Sequence, residues 1–160
     1  MGTILHQLRV CKKIKYFMIK IPYYENSYFA LHNFSAHSIK YNGVIYTTVE
    51  HAFHSVKFDD ENIKEEIRKA RSPFEAYELG KKYKSFRKTN WDEIKVSVLY
   101  EIITEKVKQH EEVKKVLLST NKEEIVEDNP NDDFWGNGKD GNGQNQTGKI
   151  LMKIRSELKS

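Results

Sequence analysis

Three side chains on one short segment carry the first chemical signal. In residues 46–58, "YTTVEHAFHSVKF", Glu50, His54 and Lys57 recur at helical spacing. At about 100° per residue, Glu50 and Lys57 point within roughly 20° of each other, two turns apart. Val49, Ala52, Phe53 and Val56 form the adjoining apolar stripe. A carboxylate and an amine therefore edge a face that must be buried, which is where a pocket wall places them. Two structural readings compete. Thr47 or Thr48 caps the helix, and Thr47-x-x-Glu50 is a capping box, which commits Glu50 to the Thr47 amide. Lys57 can lay its stem along the core edge with its head in water. His51 and His54 have a spacing that metal sites use, but HExxH is absent and no Cys partner or third ligand is evident. Both are read as structural or surface residues.

A second constellation is "NPNDDFWGNGKDGNGQNQTGK", residues 129–149. Asp132 and Asp133 precede Phe134 and Trp135, and four glycines follow. The end of this stretch imitates a phosphate-binding loop. The residue after its Lys is Ile150, which has no hydroxyl for Mg²⁺, and no strand precedes it. An EF-hand fails because the twelfth residue from Asp140 is Leu151 rather than Glu. There remain an acidic-aromatic corner, glycines that let backbone approach a ligand, and a helix start rich in amides that can meet an anion. A solvated loop closed by an ordinary helix is the plainer reading, and the adjacent Phe and Trp argue against it. Arg87 and Trp91, in "FRKTNWDEI", form a third group; Trp91 is either core or a face for a base.

The elements that must position these groups follow from composition and pattern. A chain of 160 residues predicts one domain with a real core. Hydrophobic residues at 38% and charged ones at 31% exclude disorder. The net charge of +4 comes from interspersed signs, so no long basic tract tracks a nucleic-acid backbone. It mildly favours a phosphate-bearing partner. One cysteine, Cys11, excludes an internal disulfide framework and points to a reducing compartment. No apolar run reaches transmembrane length, the start lacks a signal-peptide core, and His6 breaks a myristoylation pattern. A cytoplasmic location is expected.

Residues 1–13 read as a loosely attached arm and 14–160 as one domain. Ile14 to Ile21 reads as a strand and Tyr28 to Phe34 as a second extended piece. Asn42-Gly43 between β-prone flanks signals a hairpin, since both turn positions need positive φ. Helices are predicted over 48–58, 61–70 and 72–82, the last with Ser72 as N-cap, Pro73 at the first position and Glu75 completing a capping box. Asn90 caps a long helix with Trp91, Ile94, Val98, Leu99, Ile102 and Ile103 inward. A helix over 111–120, an extended segment over 123–129, a loop over 130–145 and a last helix burying Ile150, Leu151, Ile154 and Leu158 complete the chain. The fold class is mainly α with a small β portion near the N-terminus, in a single compact domain.

Three ordered stretches resemble the NADAR or YbiA-like family: "ALHNFSAHSIKYNGVIYTTVEHAFHSVKF", "SPFEAYELGKK" with "FRKTNWDEIK", and "DDFWGNGKDGNGQNQTGKILMKIRSEL". The resemblance runs from Tyr28 to Leu158. Glu50 matches the family's Glu in its helix motif, Lys57 the Lys of its "KF" end, and Trp91 its Trp. Asp132 matches the Asp three before the Trp of "D..WG". Asn33-Phe34 match an "NF" pair, and Gly136, Asn145 and Gly148 match the glycine loop. By this reading GQNQTGK is family loop and helix start. Departures are Thr47 where a Pro commonly stands, His32 where a small residue does, and Lys81 where an Arg does, which removes a planar fork for phosphate.

The resemblance implies a YbiA-like helical fold and N-glycosidase activity, cleaving between a ribose C1 and an amino group on a base. It implies two substrate classes: phosphoribosylamino-pyrimidine intermediates of riboflavin synthesis, and guanine carrying ADP-ribose, with nucleic acid then the carrier of the modification. A competing class is a module that binds ADP-ribose or a nucleotide without cleaving it. Such chemistry needs a carboxylate near C1 and a proton for the departing nitrogen. An alternative route opens the sugar to an imine and exchanges it onto a lysine. The expected catalytic residues are Asp132 as acid/base, Glu50 as a ribose or proton ligand, and Lys57 as covalent or electrostatic partner. The expected substrate-binding residues are Asn33, Phe34, Tyr46, Arg87, Trp91, Trp135, Gly136 and Asn145. No cofactor, metal, membrane or obligate protein partner is expected.

Overall fold

The computed structural model describes residues 18–21 and 26–160. The expected arm over 1–13, and the beginning of the strand predicted from Ile14, lie outside the described residues. Strand β1 is Met18–Ile21, and the Phe29–Leu31 segment is one 3-10 turn rather than an extended piece. It closes through Leu31 and His32 amides donating to the Tyr28 and Phe29 carbonyls. Alternating Phe, Ala and Leu gives no period to separate a tight turn from a strand.

Strands β2 (Ile39–Tyr41) and β3 (Val44–Tyr46) pair antiparallel across the two-residue turn expected from the sequence. Asn42 and Gly43 both take positive φ, 49° and 81°. Helices α1 (Val49–Ser55), α2 (Glu61–Arg68) and α3 (Pro73–Lys82) follow, then α4 (Trp91–Gln109) and α5 (Glu111–Ser119). Strand β4 (Glu124–Glu127) and helix α6 (Gln146–Glu157) end the order.

Caps explain the helix starts. Asp60 Oδ1 accepts from the Asn62 and Ile63 amides, and Ser72 Oγ accepts from the Glu75 amide. The Glu75 carboxylate reaches back one residue further than a capping box would, to the Arg71 amide. Asn90 precedes α4 but makes no side-chain cap.

Non-local pairing supplies what pattern does not show. β1 pairs parallel with β4, setting Ile21 opposite Glu127. The β portion thus joins residues more than a hundred positions apart. The main core gathers Ile21, Trp91, Leu99, Ile102, Ile103, Leu117, Ile125 and Leu151 under α4 and α6. Each such aliphatic contributes about 1.5–3 kcal/mol by burial. A smaller cluster of Phe58, Ile63, Ile67 and Ala76 locks α2 and α3 beside α1. On α6, Ile150, Leu151 and Ile154 are buried as expected, whereas Leu158 lies past the helix and is 37% exposed. Among the described residues no helix is long and apolar enough to cross a membrane.

Candidate active site

Helix α1 is buried along its whole length. Its cap is Thr48, whose hydroxyl accepts from the His51 amide at 3.3 Å. Thr48, rather than Thr47, starts the helix, so the Thr47 capping box does not form. Glu50 is free to turn inward, and its carboxylate accepts from His54 Nε2 at 2.7 Å one turn on. Its own amide donates to the Asn33 carbonyl at 3.2 Å, which docks the Asn33-Phe34 loop on the helix start.

Burial, the largest influence, opposes the Glu50 charge, but the hydrogen bond from His54 and attraction from the Lys57 ammonium act the other way and the carboxyl is held below its ordinary range. Burial pushes His54 down as well. The neutral ring is the form that fits. His54 Nδ1 is enclosed without a partner, against Gly80, so a proton there would have no acceptor. His51 is structural: Nδ1 pairs with the Thr48 hydroxyl at 2.8 Å and Nε2 with the Ala70 carbonyl at 3.0 Å. Among the described residues no group of three metal-ligating side chains gathers.

The helix expected over 48–58 ends at Ser55, so Lys57 lies two residues past α1, in the turn that follows it. Its ammonium lies 4.9 Å from the Phe53 ring centre and 5.7 Å from that of Trp91. Among the described residues it has no hydrogen bond or ion pair. Burial lowers its pKa to about 8; Glu50 opposes this, while Arg87 and Lys95 add to it. An amine on an aromatic floor with that pKa is partly neutral near neutrality, as nucleophilic lysines must be.

The second constellation packs against this floor. Phe53 meets Trp135 edge-on at 5.4 Å and Trp91 at 5.1 Å, and Phe134 stands perpendicular to Trp135 at 4.8 Å. Asp132 Oδ1 accepts from the Phe134 and Trp135 amides at 2.9 and 2.7 Å, fixing the corner. Phe53 thus joins the acid corner to the helix carrying Glu50, with Lys57 just beyond the end of that helix.

The expected binding residues divide. Trp91 is buried, yet it forms part of the floor under Lys57. Arg87 donates to Asp92 at 2.7 Å, which Lys95 also contacts at 3.0 Å, and both cations bear on Lys57. Lys95, over Phe134 at 4.2 Å, has no signal in the sequence beyond being one of many lysines. Tyr46 packs in the core and lines a 200 Å³ cavity with Val56, Lys88 and Ile94. A 530 Å³ opening between the β2–β3 turn and α4, lined by Lys40, Tyr41, Glu101 and Lys108, lies elsewhere. Neither includes Glu50, Lys57 or Asp132.

Asn145 and Gly136 are occupied with architecture. Asn145, at φ 50°, accepts from the Glu127 amide at 3.0 Å and donates to the Ile125 carbonyl at 2.8 Å. The Asn145, Gln146 and Thr147 amides donate to the Gly136, Phe134 and Trp135 carbonyls, so the start of α6 spends its donors on the loop. Those three amides are therefore not available to the anion expected at that start. His32, the departure beside Asn33, is buried. It stacks on Phe29 at 5.6 Å, accepts from the Phe34 amide at 3.0 Å, and its carbonyl takes a hydrogen bond from buried Lys106 at 2.9 Å.

Sequence reasoning missed Glu127. Its Oε2 is enclosed without a partner. Burial, with smaller contributions from Glu50 and Asp132 and against the neighbouring Thr147 hydroxyl, raises its pKa to about 7. A single Glu at the end of a short strand carries no spacing signal.

Fold and site together define a small helical domain that sets an amine and several carboxyls around an aromatic floor. The NADAR domain model matches residues 16–159, and the chain belongs to that family. It is 38% identical over 126 residues to N-glycosidase YbiA of Escherichia coli K12, covering 79% of each chain. It is 36% identical over 128 residues to a riboflavin biosynthesis protein of Vibrio vulnificus, covering 80% of this chain and 35% of that one. The NMR structure of E. coli YbiA superposes with a TM-score of 0.79 at 35% identity, covering 92% of this chain and 90% of that one.

Proposed function

We propose that this chain is an N-glycosidase that cleaves the bond between a ribose C1 and an amino group on a base, with Glu50, Lys57 and Asp132 as its working groups. The observation that carries the residue assignment is Lys57: an amine on the Phe53–Trp91 floor, without an ion-pair partner among the described residues, within electrostatic reach of an ionised Glu50.

The chemistry follows from these groups. The ribosylamine ring opens, leaving C1 doubly bonded to the base nitrogen. Neutral Lys57 adds to C1, the C1–N(base) bond breaks, and the base leaves as its free amine. Water then adds to the Lys57 imine, releasing the sugar aldehyde and restoring the amine. Asp132 moves the protons of these additions. Glu50 holds the sugar hydroxyls, with His54 fixing its carboxylate. Arg87 and Lys95 flank the floor and suit a phosphate on the ribose.

The substrate class we favour is a phosphoribosylamino-pyrimidine, in keeping with the riboflavin protein among the relatives. Guanine bearing ADP-ribose, free or in nucleic acid, presents the same C1–N bond. A cytoplasmic setting, expected from the single Cys11, belongs to the same proposal. Incubation with each substrate and mass spectrometry of the released base decides between them. Wild type should free the aminopyrimidine, and Asp132→Ala should not. Release that survives Asp132→Ala unchanged rejects the residue assignment.

A further inference from the structure

Glu127 lies within electrostatic reach of both Glu50 and Asp132, and the three carboxyls differ in what surrounds them. Glu50 accepts a hydrogen bond from His54 and lies within the field of Lys57. Asp132 Oδ1 accepts two backbone amides. Glu127 is the least supported: its Oε2 is enclosed and makes no full hydrogen bond, and the neighbouring Thr147 hydroxyl is the one donor that bears on its charge. Glu50 and Asp132 both act against that charge. Neighbouring carboxyls cannot all ionise cheaply, and the proton settles where donors stabilise the anion least.

The backbone holds Glu127 in place. Its amide donates to Asn145 Oδ1 at 3.0 Å, and its carbonyl accepts from the Asn129 and Asn137 amides at 2.9 and 3.0 Å. It is the last residue of β4, opposite Ile21 of β1. Other charges on these elements face away: Lys20 pairs with Asp128 at 3.6 Å at the surface, and Arg155 on α6 bonds Thr120 and the Glu123 carbonyl.

We infer that Glu127 is the acid that protonates the departing base nitrogen, leaving Asp132 to activate water. This deepens the glycosidase reading and rests on it. In the step, the Glu127 proton passes to the nitrogen as the C1–N bond breaks. The base leaves as a neutral amine and Glu127 becomes a carboxylate. It regains a proton from the water that hydrolyses the sugar adduct. A carboxyl with a pKa of about 7 suits that task near neutrality.

The test is Glu127→Gln, which keeps shape and removes the acid. It is assayed on a phosphoribosylamino-pyrimidine and on a ribosylamine with an electron-poor aryl amine, which departs with little protonation. The expected result is a loss of kcat/KM of about 100-fold or more on the first and a few-fold on the second. The alkaline limb of the pH profile, set by the acid, should vanish. Activity within about threefold of wild type on the first substrate overturns the inference. So does an equal loss on both with an unchanged pH profile, which would mark a structural role. Infrared spectroscopy of the wild type covers a variant that fails to fold. A protonated-carboxyl band at neutral pH that titrates near pH 7 supports Glu127 as the acid, and its absence overturns it. Should the wild type release no amine from either substrate, the glycosidase reading fails and the infrared result still decides the protonation.

Discussion

At the residue scale, Lys57 and Glu127 invert the usual order of acid and base. The amine must be neutral and has a pKa of about 8, whereas the acid must be protonated and has one of about 7. Each needed form is the minor one between those values. The rate should follow a bell: it rises up to about 7, where Glu127 begins to lose its proton, and falls above about 8, where Lys57 has lost its own and only the shrinking protonated fraction of Glu127 still changes. The optimum lies near about pH 7.5. Lys57→Met should remove turnover by about 100-fold or more while leaving the melting temperature unchanged or raised, since a desolvated charge is replaced by an apolar side chain of similar length. A calorimetric melt beside the rate assay checks both halves. Glu50 and Lys57 stood out as a pair through their helical spacing, but α1 ends at Ser55, so it is the turn after the helix that keeps Lys57 within reach of Glu50. Glu127 was not legible, because its character comes from Glu50, Asp132 and burial.

At the element scale, α3 seals α1. Gly80 stands where a Cβ would collide with His54 Nδ1. His54 is buried and cannot yield, so Gly80→Ala should tilt the ring, loosen its bond to Glu50, and cost about 1–3 kcal/mol of stability. The same variant should lower kcat; unaltered kinetics would show that the His54–Glu50 contact is dispensable. The loop before α6 depends on Asn145 in a comparable way. Asn145→Gly keeps the left-handed backbone at ease but strands the Glu127 amide and Ile125 carbonyl, so a loss of roughly 2 kcal/mol or more in urea unfolding is expected. Most elements were legible: the Asn42-Gly43 hairpin, the Asp60- and Ser72-capped helices and the apolar faces of α4 and α6. The 3-10 turn at Phe29–Leu31 and the parallel β1–β4 pairing were not. The first is too short to show a period, and the second is a contact between distant segments.

At the scale of the whole molecule, groups with shifted pKa values make stability depend on pH in opposite senses. Glu127 titrates at about 7 in the fold against 4.5 in an unfolded chain, so the native state holds the extra proton between those values. Its contribution therefore falls as pH rises from about 4.5 to about 7. Lys106, buried between the His32 carbonyl and Ser35, is lowered by burial to about 7 against 10.5. There the unfolded chain holds the extra proton, so stability rises from about pH 7 to about 10.5. His32, lowered by burial to about 4 against 6.5, adds stability as pH rises over much of the range in which Glu127 removes it, so the Glu127 contribution is read by difference. In chemical denaturation the stability of wild type minus that of Glu127→Gln should fall as pH rises from about 4.5 to about 7, and a difference that stays constant over that range would contradict the placement of Glu127.

The measurement that bears most directly on the site is trapping with borohydride during turnover of a phosphoribosylamino-pyrimidine, followed by peptide mapping. The account predicts one reduced sugar adduct, on Lys57, that disappears in Lys57→Ala. Base release by the wild type with no adduct, or equal labelling of Lys57→Ala, would contradict it.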